Sequence, residues 1–294
     1  MKLRAQDTAS RIKGVAMLPL AFSALIALGI VLELRGINIR QIASMVPRSP
    51  AFWAIFAVFY MTGPASEWVI YRRLWDLPAG CMTALLRKLV CNELLLGYLG
   101  EAYFYAWARR KTRMIAAPFA AIKDVSILSA MVGNGVTLAL LICTWPFIRS
   151  TPLGLENGSV VLSLSLVLLT SMAMMAFRRR LFSLEREELS FIALVHLARI
   201  MLMTGLSALL WHMVLPNVPL TWWMFLATLR LLISRLPFVP NKDIVFAGVA
   251  VFTLGRETDI AALMTMMASA ILLVHLAVGT GLVINDLLRV EEER

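Results

Sequence analysis

The chain has little of what soluble enzymes use for chemistry, and no polar stretch long enough to form a soluble domain. Its three cysteines lie in or beside hydrophobic segments without paired spacing, so neither a disulfide framework nor a zinc site is predicted. Its three histidines have no metal-ligand spacing, and the sequence lacks a glycine-rich phosphate loop and a nucleophile elbow. No metal or cofactor is therefore predicted.

Long hydrophobic runs dominate instead. Hydrophobic residues make up 60% of the chain, and the mean hydropathy is +0.79. Several runs approach the ~20 residues that a membrane-spanning helix needs. These runs are Gly14–Leu34, Ala51–Tyr71, Val125–Ile148, Ser159–Phe177, Phe191–Leu215 and Ala262–Ile284. They predict an all-α integral membrane protein with one transmembrane domain over residues 1–294. The first run is too long for a typical signal peptide and is interpreted as a retained anchor.

The formal net charge of +10 suggests a kind of binding partner only when the positions of the basic residues along the chain are taken into account. Lysine and arginine cluster at alternate span ends, which is typical of cytoplasmic loops and attracts anionic lipid headgroups. The clusters are the N-terminal group, Arg72–Arg73, Arg109–Arg113, Arg178–Arg180 and Arg289. This pattern predicts cytoplasmic N- and C-termini and membrane lipids as partners, and it argues against nucleic acid.

Two hydrophobic segments, Cys81–Trp107 and Thr221–Leu254, are interrupted by charges, glycines or prolines at matching places in the two halves. Such interruptions at membrane depth are tolerated only where they face protein or water, and paired ones point to a transporter's binding site. They predict two re-entrant broken-helix hairpins in a helix bundle with about six full spans. The halves, about 1–150 and 151–294, would then form an inverted repeat. The alternative is that each broken segment is a pair of ordinary short spans.

The first broken segment carries the candidate substrate-binding residues Arg87, Lys88, Asn92 and Glu101. Arginine and lysine suit an anionic group such as a phosphate, and a carboxylate can position them. The alternative is an internal ion pair, for example Arg87 with Glu93 or Glu101, because buried charges must be paired.

The second broken segment carries the candidate binding residues Arg230, Arg235 and Asp243. The two arginines either contact a ligand or extend to water at the outer interface. The turn residues that reverse each segment are predicted to be Gly97 and Gly100 in the first, and Pro237 and Pro240 in the second.

Further charged residues lie in the spans themselves. Glu67 and Asp124 are interpreted as ordinary boundary residues. Arg199 lies deep enough in its span to need a partner, which Glu101 or Glu67 would supply.

The pattern Arg87, Asn92, Gly100, Glu101 and the Pro-x-x-Pro of Leu236–Pro240 resemble motifs of a known family. The chain resembles the lysylphosphatidylglycerol synthase transmembrane-region family, also called flippase-like membrane proteins. The stretch Ala120–Leu141 resembles the segment that usually follows the first motif. The resemblance implies re-entrant helices and a bacterial cytoplasmic-membrane location. The soluble aminoacyl-transfer domain of the two-part members has no counterpart here, so lysyl-lipid synthesis is not expected.

Two functions are consistent with these features. The first is a lipid transporter or flippase that moves an anionic or polar-headgroup lipid across the cytoplasmic membrane. The second is a membrane-embedded enzyme or an accessory subunit in lipid or glycolipid modification, for which Glu101, Asp124 and Asp243 are the candidate acids or bases. A homo-oligomer, or a complex with a lipid-modifying enzyme, is compatible with either.

Overall fold

The computed structural model describes residues 46–75, 77, 80–95, 99–111, 117–150, 165, 168–169, 171–173, 182–234, 242–254 and 259–292. These residues are almost entirely helical and contain no strand. The helices are α1 Pro50–Leu74, α2 Cys81–Leu94, α3 Leu99–Lys111, α4 Ala117–Ser150, α5 Arg186–Val214, α6 Leu220–Ser234, α7 Lys242–Leu254 and α8 Asp259–Glu292. The expected all-α architecture is therefore found.

Three helices are long and apolar enough to cross a membrane, over Phe119–Thr144, Arg186–Val214 and Leu263–Leu288. They correspond to three of the predicted full spans, which makes the chain compatible with an integral membrane protein. The predicted spans Gly14–Leu34 and most of Ser159–Phe177 lie outside the described residues.

The predicted span Ala51–Tyr71 forms most of α1, a helix of 25 residues, but α1 is not among the three apolar helices. Its middle holds Thr62, Gly63, Pro64, Ser66 and Glu67, which lower its hydropathy. Pro50 at the start of the helix has its backbone pre-set for helix, and Arg72 and Arg73 lie in the last turn, where cations complement the helix dipole. The helix is thus well formed but polar in the middle.

Each broken segment forms two short helices that contact each other. Helices α2 and α3 have 14 and 13 residues, and α6 and α7 have 15 and 13. At 1.5 Å per residue such helices are about 20 Å long, shorter than the ~30 Å hydrocarbon core. The predicted interruptions are therefore real breaks. Of the turn residues, Gly97, Pro237 and Pro240 lie outside the described residues.

Two apolar cores lie toward opposite ends of α1. Phe52, Phe56 and Phe59 join a core that includes α5, α6, α7 and α8. Ile70 and Tyr71 join a second core with α2, α3, α4 and the start of α5. The α6–α7 pair thus packs near one end of α1 and the α2–α3 pair near the other. Because Tyr60 and Glu67 occur between these two groups of residues, the polar part of α1 lies between the cores.

Gly100 allows α3 to approach α2 closely. A Cβ atom at this position would collide with the backbone carbonyl of Lys88 and would lie 2.7 Å from Asn92 Oδ1. Real Cβ atoms do not tolerate such contacts with backbone, so any larger residue must push the two helices apart.

We expect Gly100→Ala to lower the free energy of unfolding by about 1–3 kcal/mol, the usual cost of overpacking. Thermal unfolding of the detergent-purified protein would measure the loss. Gly205→Ala in α5 is the matched control, since a Cβ there meets nothing within 4 Å. Equal melting temperatures for the two variants would contradict the close approach.

Candidate functional site

Lys88 is the buried centre of the first charged cluster. It belongs to α2, and only 4% of the residue is exposed. Its Nζ lies 2.7 Å from a carboxylate oxygen of Glu67 in α1 and 3.5 Å from one of Glu101 in α3. Three helices therefore meet at one ammonium group, and two of them bring a carboxylate to it.

The same cluster lines a cavity of about 120 Å³. Most of the lining residues are polar, and they come from α1, α2, α3, α4 and α5. The lining residues are Glu67, Lys88, Glu101, Val125, Ser126, Ser129, Ala130 and His196. In a helical protein rich in apolar segments, charged side chains that line a cavity are candidates for a functional site by default.

Two residues of α5 adjoin the cavity. His196 is completely buried, and its Nε2 lies 3.2 Å from the backbone carbonyl of Val125. Arg199 donates a hydrogen bond of 2.8 Å to the hydroxyl of Ser129. The expected partner of Arg199 was Glu101 or Glu67; the observed one is a serine, so Arg199 does not form the expected ion pair among the described residues.

Arg87 faces away from this cluster. Its guanidinium lies 2.5 Å from a carboxylate oxygen of Asp286 in α8, and it also lies over the ring of Tyr103, 5.5 Å from the ring centre. The sequence analysis allowed a pair with Glu93 or Glu101, whereas the ion pair seen in the described part of the chain joins α2 to α8. Arg87 is only 2% exposed, so this pair lies inside the bundle.

Asn92 has a structural contact. Its side-chain oxygen accepts a 2.7 Å hydrogen bond from the backbone N–H of Gly100, near the start of α3. The first N–H groups of a helix have no partner within the helix, so this bond satisfies one of them. Asn92 therefore fixes α3 against α2 and thereby places Glu101 beside Lys88.

The second broken segment has its own ion pair. Arg230 in α6 donates a 2.7 Å hydrogen bond to Asp243 in α7, and its guanidinium lies over Phe59 of α1. Lys242 donates to the backbone carbonyl of Ser234, the last residue of α6. These contacts hold α6 to α7. The neighbouring cavity is only about 10 Å³, so it has room for a water molecule but not for a headgroup.

The two broken segments are close enough to interact electrostatically. Glu93, near the end of α2, interacts electrostatically with Asp243, Lys242 and Arg230. Tyr60 of α1 lies near Glu93, and its hydroxyl is 3.0 Å from Nδ1 of His275 in α8. Glu93, Tyr60 and His275 therefore form a group of polar residues close to the ion pair of the second broken segment.

The structure thus brings together some of the predicted site residues and separates others. Lys88 and Glu101 share a cavity, Arg230 and Asp243 pair with each other, and Arg87 lies at a separate pair. Arg235 lies outside the described residues.

The interpretation missed residues that complete the site. Glu67 is not an ordinary boundary residue, because it neutralises Lys88. The sequence feature that could have indicated this is its position two residues after the Gly-Pro-Ala stretch, in the polar middle of α1. Asp124 is also not a boundary residue, since it is completely buried and accepts hydrogen bonds from the backbone N–H groups of Ser183 and Leu184. His196 and Ser129 carried no pattern that could have identified them.

No family model, curated protein or solved structure matches the chain. The site's geometry is therefore the basis for any statement about function.

We expect Lys88→Met to lower the free energy of unfolding by up to about 3–5 kcal/mol, because it leaves two partly buried carboxylates without their cation. Unfolding of the detergent-solubilised protein, followed by circular dichroism, would measure this. Adding Glu67→Gln to Lys88→Met should restore part of the loss, since it removes one uncompensated charge.

Arg73→Met is the control for this substitution. Arg73 pairs with Glu187 and Glu188, but its side chain is 36% exposed and that of Glu187 is 84% exposed. Exposed pairs contribute about 0–1 kcal/mol. If Lys88→Met cost no more than Arg73→Met, the proposed neutralisation of Lys88 would be wrong.

Proposed function

We propose that the protein is a lipid transporter that passes a polar headgroup through the cavity at Glu67, Lys88 and Glu101 while the acyl tails stay in the bilayer. The observation that carries the proposal is the cavity at Glu67, Lys88 and Glu101, a charged space lined by residues of five helices. Ionisable groups in such a position are costly to bury, and they are typical of substrate pathways.

The arrangement of the broken segments supports this function. Each consists of two helices too short to span the bilayer, and the two pairs pack near opposite ends of α1. Transporters built from inverted repeats place their sites between such discontinuous helices near the midplane. We infer that α2–α3 and α6–α7 are re-entrant hairpins from opposite sides of a bundle with about six full spans, and that relative motion of the two halves moves the headgroup.

The distribution of lysine and arginine in the sequence supports an orientation with both termini in the cytoplasm. The resemblance to flippase-like proteins supports the bacterial cytoplasmic membrane as the location. We include a homo-oligomer, or a complex with a lipid-modifying enzyme, among the assemblies in which the transporter would act.

An enzyme is the second candidate, but the contacts of its expected acids and bases do not favour it. Asp124 accepts two backbone hydrogen bonds, and Asp243 is paired with Arg230. Glu101 remains as the one candidate that lines the cavity.

We expect reconstituted protein to move at least one fluorescent phospholipid between leaflets, and Glu101→Gln to slow that movement about tenfold or more, the effect of losing a charged hydrogen-bonding group. The measurement is quenching of a labelled-lipid panel in proteoliposomes by a membrane-impermeant reagent.

Glu187→Gln provides the matched control, since it makes the same chemical change at an exposed position. It should move lipid as fast as the wild type. Equal rates for both variants and the wild type would exclude the cavity as the transport site, and no movement of any tested lipid would turn the assignment toward an accessory or enzymatic role.

A further inference from the structure

Glu93 is a carboxylate within the helix bundle that has no cation in direct contact. It lies near the end of α2 and is partly buried. Among the residues that the structure describes, none forms an ion pair or a hydrogen bond with its side chain. Other carboxylates of the described helices do have a close cation, in the pairs Glu67–Lys88, Asp243–Arg230 and Asp286–Arg87.

Three charged residues of the second broken segment interact electrostatically with Glu93, namely Asp243, Lys242 and Arg230. Both cations have direct contacts elsewhere. Arg230 donates a 2.7 Å hydrogen bond to Asp243, and Lys242 donates a 2.9 Å hydrogen bond to the backbone carbonyl at the end of α6. Asp243 repels an ionised Glu93, since both carry negative charge. The cations therefore act on Glu93 only from a distance.

The helices packed against α2 bring further titratable groups. Tyr60 of α1 interacts electrostatically with Glu93, and its hydroxyl is hydrogen-bonded to His275 of α8 at 3.0 Å. Tyr60 and His275 are both buried and satisfy each other, so neither exchanges a proton with water as readily as the partly exposed Glu93. The remaining titratable groups of α1, α3 and α8 that face α2 contact other residues, Glu67 and Glu101 at Lys88, and Tyr103 and Asp286 at Arg87.

An ionised carboxylate without a close cation is costly to keep inside a bundle, where little water solvates it. Such a group commonly becomes neutral by binding a proton. Carboxyl groups in this situation are typical of proton pathways in membrane transport proteins. Part of Glu93 is exposed, so the carboxyl group is not sealed away from a proton donor.

We propose that Glu93 is a proton-binding site and that its protonation controls the attraction between the two broken segments. A proton from water forms an O–H bond with a carboxylate oxygen, and the reverse step returns it to water. When ionised, Glu93 of α2 attracts Arg230 of α6 and Lys242 of α7. When protonated, it loses that attraction, while the ion pair between Arg230 and Asp243 remains.

A proton fits this position better than a metal cation does. Arg230 and Lys242 already supply positive charge there, which repels a further cation. A metal ion also needs several ligands, and the described residues contain no group of three or more histidine, cysteine, aspartate or glutamate side chains that could hold one. A proton needs only one carboxylate oxygen.

A proton at Glu93 provides an energy source for the movement of lipid. A ligand that binds one conformation better than another shifts the equilibrium between them. If the two halves move relative to each other, a charge that links α2 to α6 and α7 couples this motion to a proton gradient. The coupling rests on the transport function proposed above, whereas proton binding at Glu93 does not.

The first experiment measures the proton itself. Infrared spectroscopy separates the C=O stretch of a protonated carboxyl group from the bands of a carboxylate. Detergent-purified protein is titrated from about pH 6 to about pH 9, where ordinary aspartate and glutamate side chains are already ionised. We expect the wild type to lose one protonated-carboxyl band as the pH rises. A wild type without such a band would overturn the proposal.

Two glutamine variants assign the band. Glu93→Gln should lack it, whereas Glu187→Gln should retain it, because Glu187 is exposed at the surface. A band that persists in Glu93→Gln belongs to another carboxyl group and would refute the site.

The second experiment tests coupling in proteoliposomes that contain trace tail-labelled phosphatidylglycerol, phosphatidylethanolamine or phosphatidylcholine. A gradient of about one pH unit is imposed in either direction, with the membrane potential held at zero. For one proton per lipid, the distribution of a transported lipid between leaflets should change about tenfold and reverse with the gradient. Glu93→Gln should show the same distribution with and without the gradient.

The outcomes separate proton coupling from transport. Lipid movement that ignores the gradient in the wild type would refute coupling while the transport function stands. Loss of the gradient effect in His275→Asn but not in Glu93→Gln would assign the coupling to the histidine and refute the proposal. The protonated-carboxyl band without movement of any lipid would support the proton site and refute transport.

Discussion

A lysine ammonium buried inside a helical bundle must be neutralised, and the packing around Lys88 meets that requirement. Removing a charge from water costs several kcal/mol, which only close, oppositely charged partners can offset. Glu67 and Glu101 are those partners, and they come from different helices. Helices α1, α2 and α3 are therefore constrained to meet at one point. The close contact between Gly100 and the Lys88 carbonyl, and the Asn92 bond to the Gly100 N–H, keep α3 in the required position.

The break in each short helix pair follows from the same constraint. A continuous spanning helix would carry its charged residues through the hydrocarbon, whereas a reversed pair of short helices can hold them against protein. In the first pair the charges contact α1 and α8; in the second, Arg230 and Asp243 contact each other across the pair. The first arrangement leaves a cavity large enough for a ligand, and the second leaves almost none. The two pairs are thus similar in architecture but different in their capacity to bind.

Much of the fold followed from composition and periodicity. Long apolar runs indicated spanning helices, and charged or helix-breaking residues within two further runs indicated the breaks. Three helices that are long and apolar enough to span a membrane and both short pairs are found in the described residues. Only part of the candidate site could be predicted from the sequence. Lys88 and Glu101 could be selected because charges are rare in apolar sequence, but their partner Glu67 resembled a residue at a helix end. His196 and Ser129 gave no signal, since a single histidine or serine is common in a buried helix.

The sequence by itself determined that the protein is helical and rich in apolar segments, and where two of those segments are interrupted, because hydropathy and helix breaking are local properties. Only the tertiary structure decided which charges pair, since Arg87 and Asp286 are nearly 200 positions apart and no local rule relates them. It also decided that Glu67, Lys88 and Glu101 meet beside a cavity, because three helices must pack together to bring them there.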